Sequence, residues 1–137
     1  MKTAKVSATV LLIVCMTVMA GCSGFAGDQQ AGERTNQSWS GSWMTKVKGG
    51  DAETPMDLVQ SGVMVFGTYG YGDGTISAVV QDNRLSGTWH EDGGRSAGRL
   101  EFVLSDNGLS FTGWYAYPEE NFDDVRLGQP RWRGWRI

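Results

Sequence analysis

The 137-residue chain is poorest in the residue types that do chemistry: it has one histidine, His90, and two cysteines, Cys15 and Cys22, both within the first 22 residues. A lone histidine beside the turn "EDGG" (91–94) is expected on an exposed strand face, so neither catalysis nor metal binding is expected of it. After the apolar N-terminal run, no ten-residue stretch carries a helical apolar pattern. A Gly-rich loop opening onto a helix N-terminus, the usual phosphate cradle, is therefore not expected. Positive charge is also short: 12 Lys/Arg stand against 15 Asp/Glu, for a net charge of −3. That balance argues against nucleic acid as a partner. No enzyme activity, metal or cofactor is expected, and nothing in the sequence fixes an oligomeric state.

Charge is nearly absent from the N-terminus, where Lys2 and Lys5 are the only charges before Asp28. They precede "VSATVLLIVCMTVMA" (6–20), an uncharged run too short for a spanning helix, which needs roughly 20 apolar residues, and suited to a signal peptide. "MAGCSG" (19–24) follows. Ala20, Gly21 and Cys22 resemble the lipobox of prokaryotic lipoproteins, with Met19 where Leu is usual. The resemblance implies cleavage before Cys22 and a palmitate-bearing lipid anchor on its sulfur, in the cell membrane or the outer membrane. An ordinary signal-peptidase site at 18–20 is the rival reading and would leave Cys22 a free thiol; Cys15 follows the bulky Val14 inside the apolar run. With Cys22 lipidated, no thiol remains for a disulfide, a zinc site or a nucleophile, so the fold must stand on its core. Loss of the leader leaves ten Lys/Arg against fifteen Asp/Glu. The expected organisation is a signal peptide over 1–21, a lipid-anchored tether over 22–37 and a globular domain over 38–137. The tether, rich in Gly, Gln, Ala and charge, cannot bury enough apolar surface to order itself.

Glycine is abundant instead: twenty residues, none before Gly21. Five of them sit in a recurring phrase, "SGSW", "FGTY", "SGTW", "TGWY" and "RGWR", at Gly41, Gly67, Gly87, Gly113 and Gly134. The spacings of 26, 20, 26 and 21 give a period of about 46 residues, as in an internally duplicated chain. That offset also pairs Leu58 with Leu104, Gly62 with Gly108, Val63 with Leu109 and Val65 with Phe111.

Within each unit the apolar period is two. Val63, Val65, Gly67 and Tyr69 share one face, as do Leu85, Gly87 and Trp89, Leu100, Phe102 and Leu104, and Leu109, Phe111, Gly113 and Tyr115. This alternation, punctuated by "QSG", "GYGDG", "QDN", "EDGG" and "SDNG", predicts antiparallel hairpins with one wet face. Eight strands are expected near 38–47, 55–61, 63–70, 74–81, 84–91, 97–105, 109–117 and 131–137. Because an open meander would expose two edges, the prediction is an all-β, eight-stranded antiparallel up-and-down barrel. An inward glycine lets a strand coil sharply and leaves room for a neighbour's aromatic ring.

Gly41-Ser42-Trp43 on the first strand and Arg136 on the last resemble the calycin signature of lipocalins and avidins. "GTY" at 67–69 is similar to avidins, and the whole to Trp/Gly-rich repeat domains of prokaryotic lipoproteins. The resemblance implies an Arg136–Trp43 cation–π contact at the barrel's opening strand. It covers roughly 39–137 and implies an architecture; the lipocalin cysteines, the long C-terminal helix and a biotin-binding set are missing.

A barrel of eight strands is either just filled or holds one small ligand, and the inward glycines favour a cavity. The expected function is non-catalytic binding of a small apolar molecule or a glycan, with Trp43, Tyr69, Trp89 and Tyr115 as candidate contacts. The alternative is a plugged barrel, an envelope structural protein or protease inhibitor acting through its outer surface. There Arg133, Trp135 and Ile137 of "RWRGWRI" fall on the outer face. The acidic "PEENFDD" (118–124) fits no EF-type calcium loop and reads as solvated, with Phe122 expected to close over one barrel mouth.

Overall fold

The computed structural model describes residues 37–137. The predicted leader, Cys22 and all of the tether but Gln37 lie outside the described residues. Eight strands follow in chain order: β1 (Gly41–Val47), β2 (Thr54–Ser61), β3 (Met64–Tyr69), β4 (Gly74–Gln81), β5 (Arg84–Glu91), β6 (Ser96–Leu104), β7 (Ser110–Ala116) and β8 (Trp132–Arg136). Each pairs antiparallel with its sequence neighbours, and β8 returns to β1, so the sheet closes as an up-and-down barrel. No helix among the described residues is long and apolar enough to cross a membrane.

Tight turns set the register. Ser61 pairs with Met64 across Gly62-Val63, and Gly62 takes a φ of +59°, which an L side chain rarely adopts. Val63 therefore sits in the turn and is exposed rather than inward. Leu109 is likewise exposed, one residue before β7 begins. Both keep the inward parity of their strands but lie beyond the barrel's end, where there is no core to face.

The inward face forms one cluster. At the end where the chain enters, Trp39, Trp43, Phe102 and Phe111 are almost wholly buried. Phe102 and Phe111 stack at 4.4 Å, and Phe111 meets Trp43 edge-on at 5.4 Å. Arg136 closes this end. Its guanidinium carbon lies 4.3 Å from the Trp43 ring centroid, and its nitrogens donate to the carbonyls of Gly108 (2.7 Å), Ser40 (2.8 Å) and Ser38. One side chain thus ties the first strand's lead-in and the β6–β7 hairpin to the last strand.

The recurrent glycines are seats for neighbouring side chains. A Cβ at Gly67 would collide with Leu58, one at Gly113 with Phe102, and one at Gly134 with Phe111, each contributed by the residue directly opposite in the ladder. The same device recurs outside the repeated phrase, where Tyr69 lies over Gly74 and Trp89 over Gly98. The glycines were expected to open a cavity; those five are filled by their partners, and the space in the barrel lies elsewhere.

The segment between β7 and β8 departs from the expectation of an all-strand domain. It contains a short helix, α1 (Phe122–Leu127), whose N-terminus is capped by the Asn121 side chain accepting from the Asp123 N–H at 3.0 Å. Phe122 does not close a mouth. It packs with Val125, Ala116 and Trp114 on the outer face of β7, beneath Arg99 at 4.8 Å. The same outer face carries Glu101, buried and paired with Arg84 at 2.6 Å and Arg126 of α1 at 3.4 Å. Glu101 lies outward, as its place between the inward Leu100 and Phe102 requires, but only the helix explains its burial. An offset of 46 residues lays β1 on β5 and β3 on β7, yet lays β4 on 120–127, where the chain forms α1.

Candidate ligand-binding site

The end opposite Trp39 is not plugged. There the β1–β2 and β3–β4 connections and the inward ends of β3, β5, β7 and β8 enclose a cavity of about 370 Å³. Tyr69, Tyr71, Trp89, Tyr115, Tyr117 and Trp132 line it, with carboxylates from Asp51 and Glu91. Of the expected contacts, Tyr69, Trp89 and Tyr115 come together here. Trp43 does not: it is fully buried at the other end, with its indole N–H donating to the Trp39 carbonyl at 3.1 Å.

Strand alternation points Tyr69, Trp89, Tyr115 and Trp132 inward from four strands, and barrel closure makes them neighbours. Tyr69 meets Trp132 at 5.0 Å and 80°, Trp132 meets Tyr115 at 5.9 Å and 85°, and Tyr115 meets Trp89 at 6.2 Å and 88°. Tyr117, just past β7, meets Trp89 at 5.2 Å and 88°. These near-perpendicular contacts are the arrangement the aromatic quadrupole favours, and they set the rings as walls of a box. Trp89 and Trp132 are buried, and their indole N–H groups lack a protein acceptor.

Tyr69 donates its hydroxyl to Glu91 Oε1 at 2.8 Å. Burial first, then this bond and the charge of Glu91, push the Tyr69 phenol well above the usual tyrosine range. Burial raises Tyr115 as well, with Tyr117 adding to it and Arg131 opposing it. Arg131 lies over the Tyr115 ring at 5.9 Å and binds Glu120 at 2.9 Å. The Tyr117 backbone N–H, then Arg131, hold the Glu120 carboxyl below its usual range. "PEENFDD" is thus bound into the fold through Glu120 and Asn121, and no group of three or more potential metal ligands forms among the described residues.

The Tyr69 shift has a definite sign in stability. Below pH ~10, folded and unfolded chains both keep the phenolic proton and the contribution is complete. Above that the unfolded chain ionises while the folded one does not, so stability falls as pH rises toward the folded value. Thermal melts between about pH 9 and pH 11 should show a shallower decline for Tyr69→Phe than for the parent chain. Identical slopes would mean Tyr69 is not held protonated by the fold.

The C-terminal strand lies as parity requires. Arg133 and Trp135 face outward and, with Lys46, Lys48 and Arg131, border a surface groove of about 450 Å³. His90 is exposed. Sequence reasoning missed Tyr71, Tyr117, Trp132, Asp51 and Glu91 as cavity residues. Trp132 was legible from its inward parity, but the others come from connections or strand ends, where alternation gives no direction. Comparison with protein-family models, curated proteins and solved structures finds no match to this chain.

Proposed function

We propose that the chain is a lipid-anchored cell-envelope protein whose barrel binds a small molecule without transforming it. The observation that carries this reading is the aromatic cavity at one end of a barrel whose other end is sealed. Such a concave, largely apolar space with a few polar groups is what small-ligand sites share. Tyr69 holds its proton tightly, which suits a fixed donor to Glu91 better than a proton shuttle. The described chain enters at the sealed end, so the mouth opens opposite the chain's entry. The anchor itself is read from the "MAGCSG" stretch, with Cys22 lipidated after removal of the leader.

Within this proposal the domain is calycin-like, a reading supported by the Arg136 guanidinium over Trp43 and by the Gly-x-Trp on β1. Duplication is supported by matched glycines on β1 and β5 and on β3 and β7. The cationic groove beside Trp135 favours a second reading, action through the outer face as a structural or inhibitor-type envelope protein.

Mass spectrometry of the full chain, purified gently from its host, tests both parts. Denatured, the protein should begin at Cys22 with a diacylglyceryl mass; an unmodified start at residue 21 or 22 would remove the anchor. Under native conditions a reproducible small-molecule excess is expected. A bare mass together with capture of a protein partner would transfer the function to the outer face.

A further inference from the structure

The lining of the cavity goes further than accommodating an apolar group, because its charge has one sign. Asp51 and Glu91 are its only ionisable side chains apart from the tyrosines, and neither lysine, arginine nor histidine lines it. Arg131, the cation over the Tyr115 ring, is bound to Glu120 and does not line the cavity. In the same lining the rings of Tyr69, Trp132, Tyr115, Trp89 and Tyr117 meet at angles of 78° to 88°, and Tyr69 is bonded to Glu91.

Tyr69, Trp89 and Trp132 are buried edge-to-face against their neighbours, while the more open rings of Tyr71, Tyr115 and Tyr117 offer aromatic surface to one compact group. A flat sugar would be served better by one open platform and neutral hydrogen-bonding side chains. Here the Tyr69 hydroxyl is committed to Glu91, the Thr45 hydroxyl donates to the Thr54 carbonyl at 3.0 Å, and the indole N–H groups of Trp89 and Trp132 are sealed from solvent. The Trp89 Nε1–Cζ2 edge lies against Gly98. What the lining offers is aromatic surface, from Tyr71, Tyr115 and Tyr117 above all, joined by negative charge.

From this cage we propose that the cavity binds an organic cation, a quaternary ammonium head group, through cation–π contacts with its rings and long-range attraction to Glu91 and Asp51. Such a group is weakly hydrated, so it loses little on leaving water, and its spread charge suits aromatic rings and carboxylates together. The inference rests on the binding-barrel reading and narrows it. The Trp89 wall is seated at Gly98, where a side chain would meet both the indole and the Ala116 carbonyl oxygen of β7.

The probe is choline, set against its neutral isostere 3,3-dimethylbutan-1-ol, by isothermal titration calorimetry on the full chain in detergent. Choline should bind at least about tenfold more tightly than the alcohol, the expectation for a desolvated cation over several rings. Glu91→Gln, which keeps an acceptor for Tyr69, should lose most of that preference. Tyr115→Leu should weaken choline more than the alcohol. Equal affinities for the two probes would overturn the cation and leave a cavity that simply takes apolar groups. Binding of neither probe would also overturn it, while a host-derived adduct in the native mass spectrum would still uphold the binding barrel. Should Glu91→Gln fail to fold, the choline-to-alcohol ratio in the parent chain decides alone.

Discussion

Trp43→Ala should lower the stability of the barrel by about 3–5 kcal/mol, the range for truncating a fully buried tryptophan. Trp43 has no solvent exposure, contacts Trp39 and Phe111, and supplies the ring over which Arg136 lies. Removing it leaves a hole that its two aromatic neighbours, Trp39 before β1 and Phe111 on β7, cannot fill together, and takes the cation–π partner from an arginine that closes the barrel. Against a total of roughly 5–15 kcal/mol for a domain of this kind, such a loss is a large fraction. Thermal unfolding should show a fall in Tm on the order of 20 °C. A drop of only a few degrees would mean that the end is not sealed by this cluster. Since Trp43 lies away from the cavity, the folded fraction should bind ligand as the parent does, which separates it from Trp89 and Tyr115.

Gly87→Ala should cost about 2–3 kcal/mol or more through added bulk, although it adds one methyl group. The new Cβ would run into the Ser77 carbonyl oxygen and stand 2.5 Å from Ala78 Cα, both backbone atoms of β4. A flexible side chain could move away; a hydrogen-bonded strand cannot without breaking its ladder, which pairs Gly87 with Ala78. Gly93→Ala is the contrast. Its Cβ would meet nothing within 4 Å, but its φ is +66°, so only the left-handed backbone opposes the change, at roughly 1 kcal/mol. Denaturant unfolding of the two variants should rank Gly87→Ala as clearly the more damaging. The reverse order would show that β4 gives way to a methyl group at Gly87 without losing its ladder.

Most of the barrel is legible in the chain because antiparallel strands write their two faces at a period of two. Predicted and observed strands differ by at most three residues at any end, and the turns lie where Gly, Asp and Asn cluster. Arg136 over Trp43 followed from parity on β8 together with the family resemblance. The departures share one cause. Val63 and Leu109 have inward parity but lie past the barrel's rim, and parity carries no information about where a strand leaves the core. Helix α1 escaped notice because six residues are too few to establish a helical period, and its apolar pair, Phe122 and Val125, gains its meaning only from the outer face of β7.

The cavity was half legible. Tyr69, Trp89 and Tyr115 could be named from alternation, but Trp43 shares that alternation and seals the opposite end. Position along the barrel axis depends on the stagger of the strands, which is a property of the closed sheet. The sequence by itself determined the strand count, the faces, the turns and the glycine seats, because each is a local preference repeated every two residues or fixed within one hairpin. Only the tertiary structure decided which end is filled and which is open. That choice depends on rings from β1, β6 and β7 meeting across the interior at one level, and rings from β3, β5, β7 and β8 meeting at another.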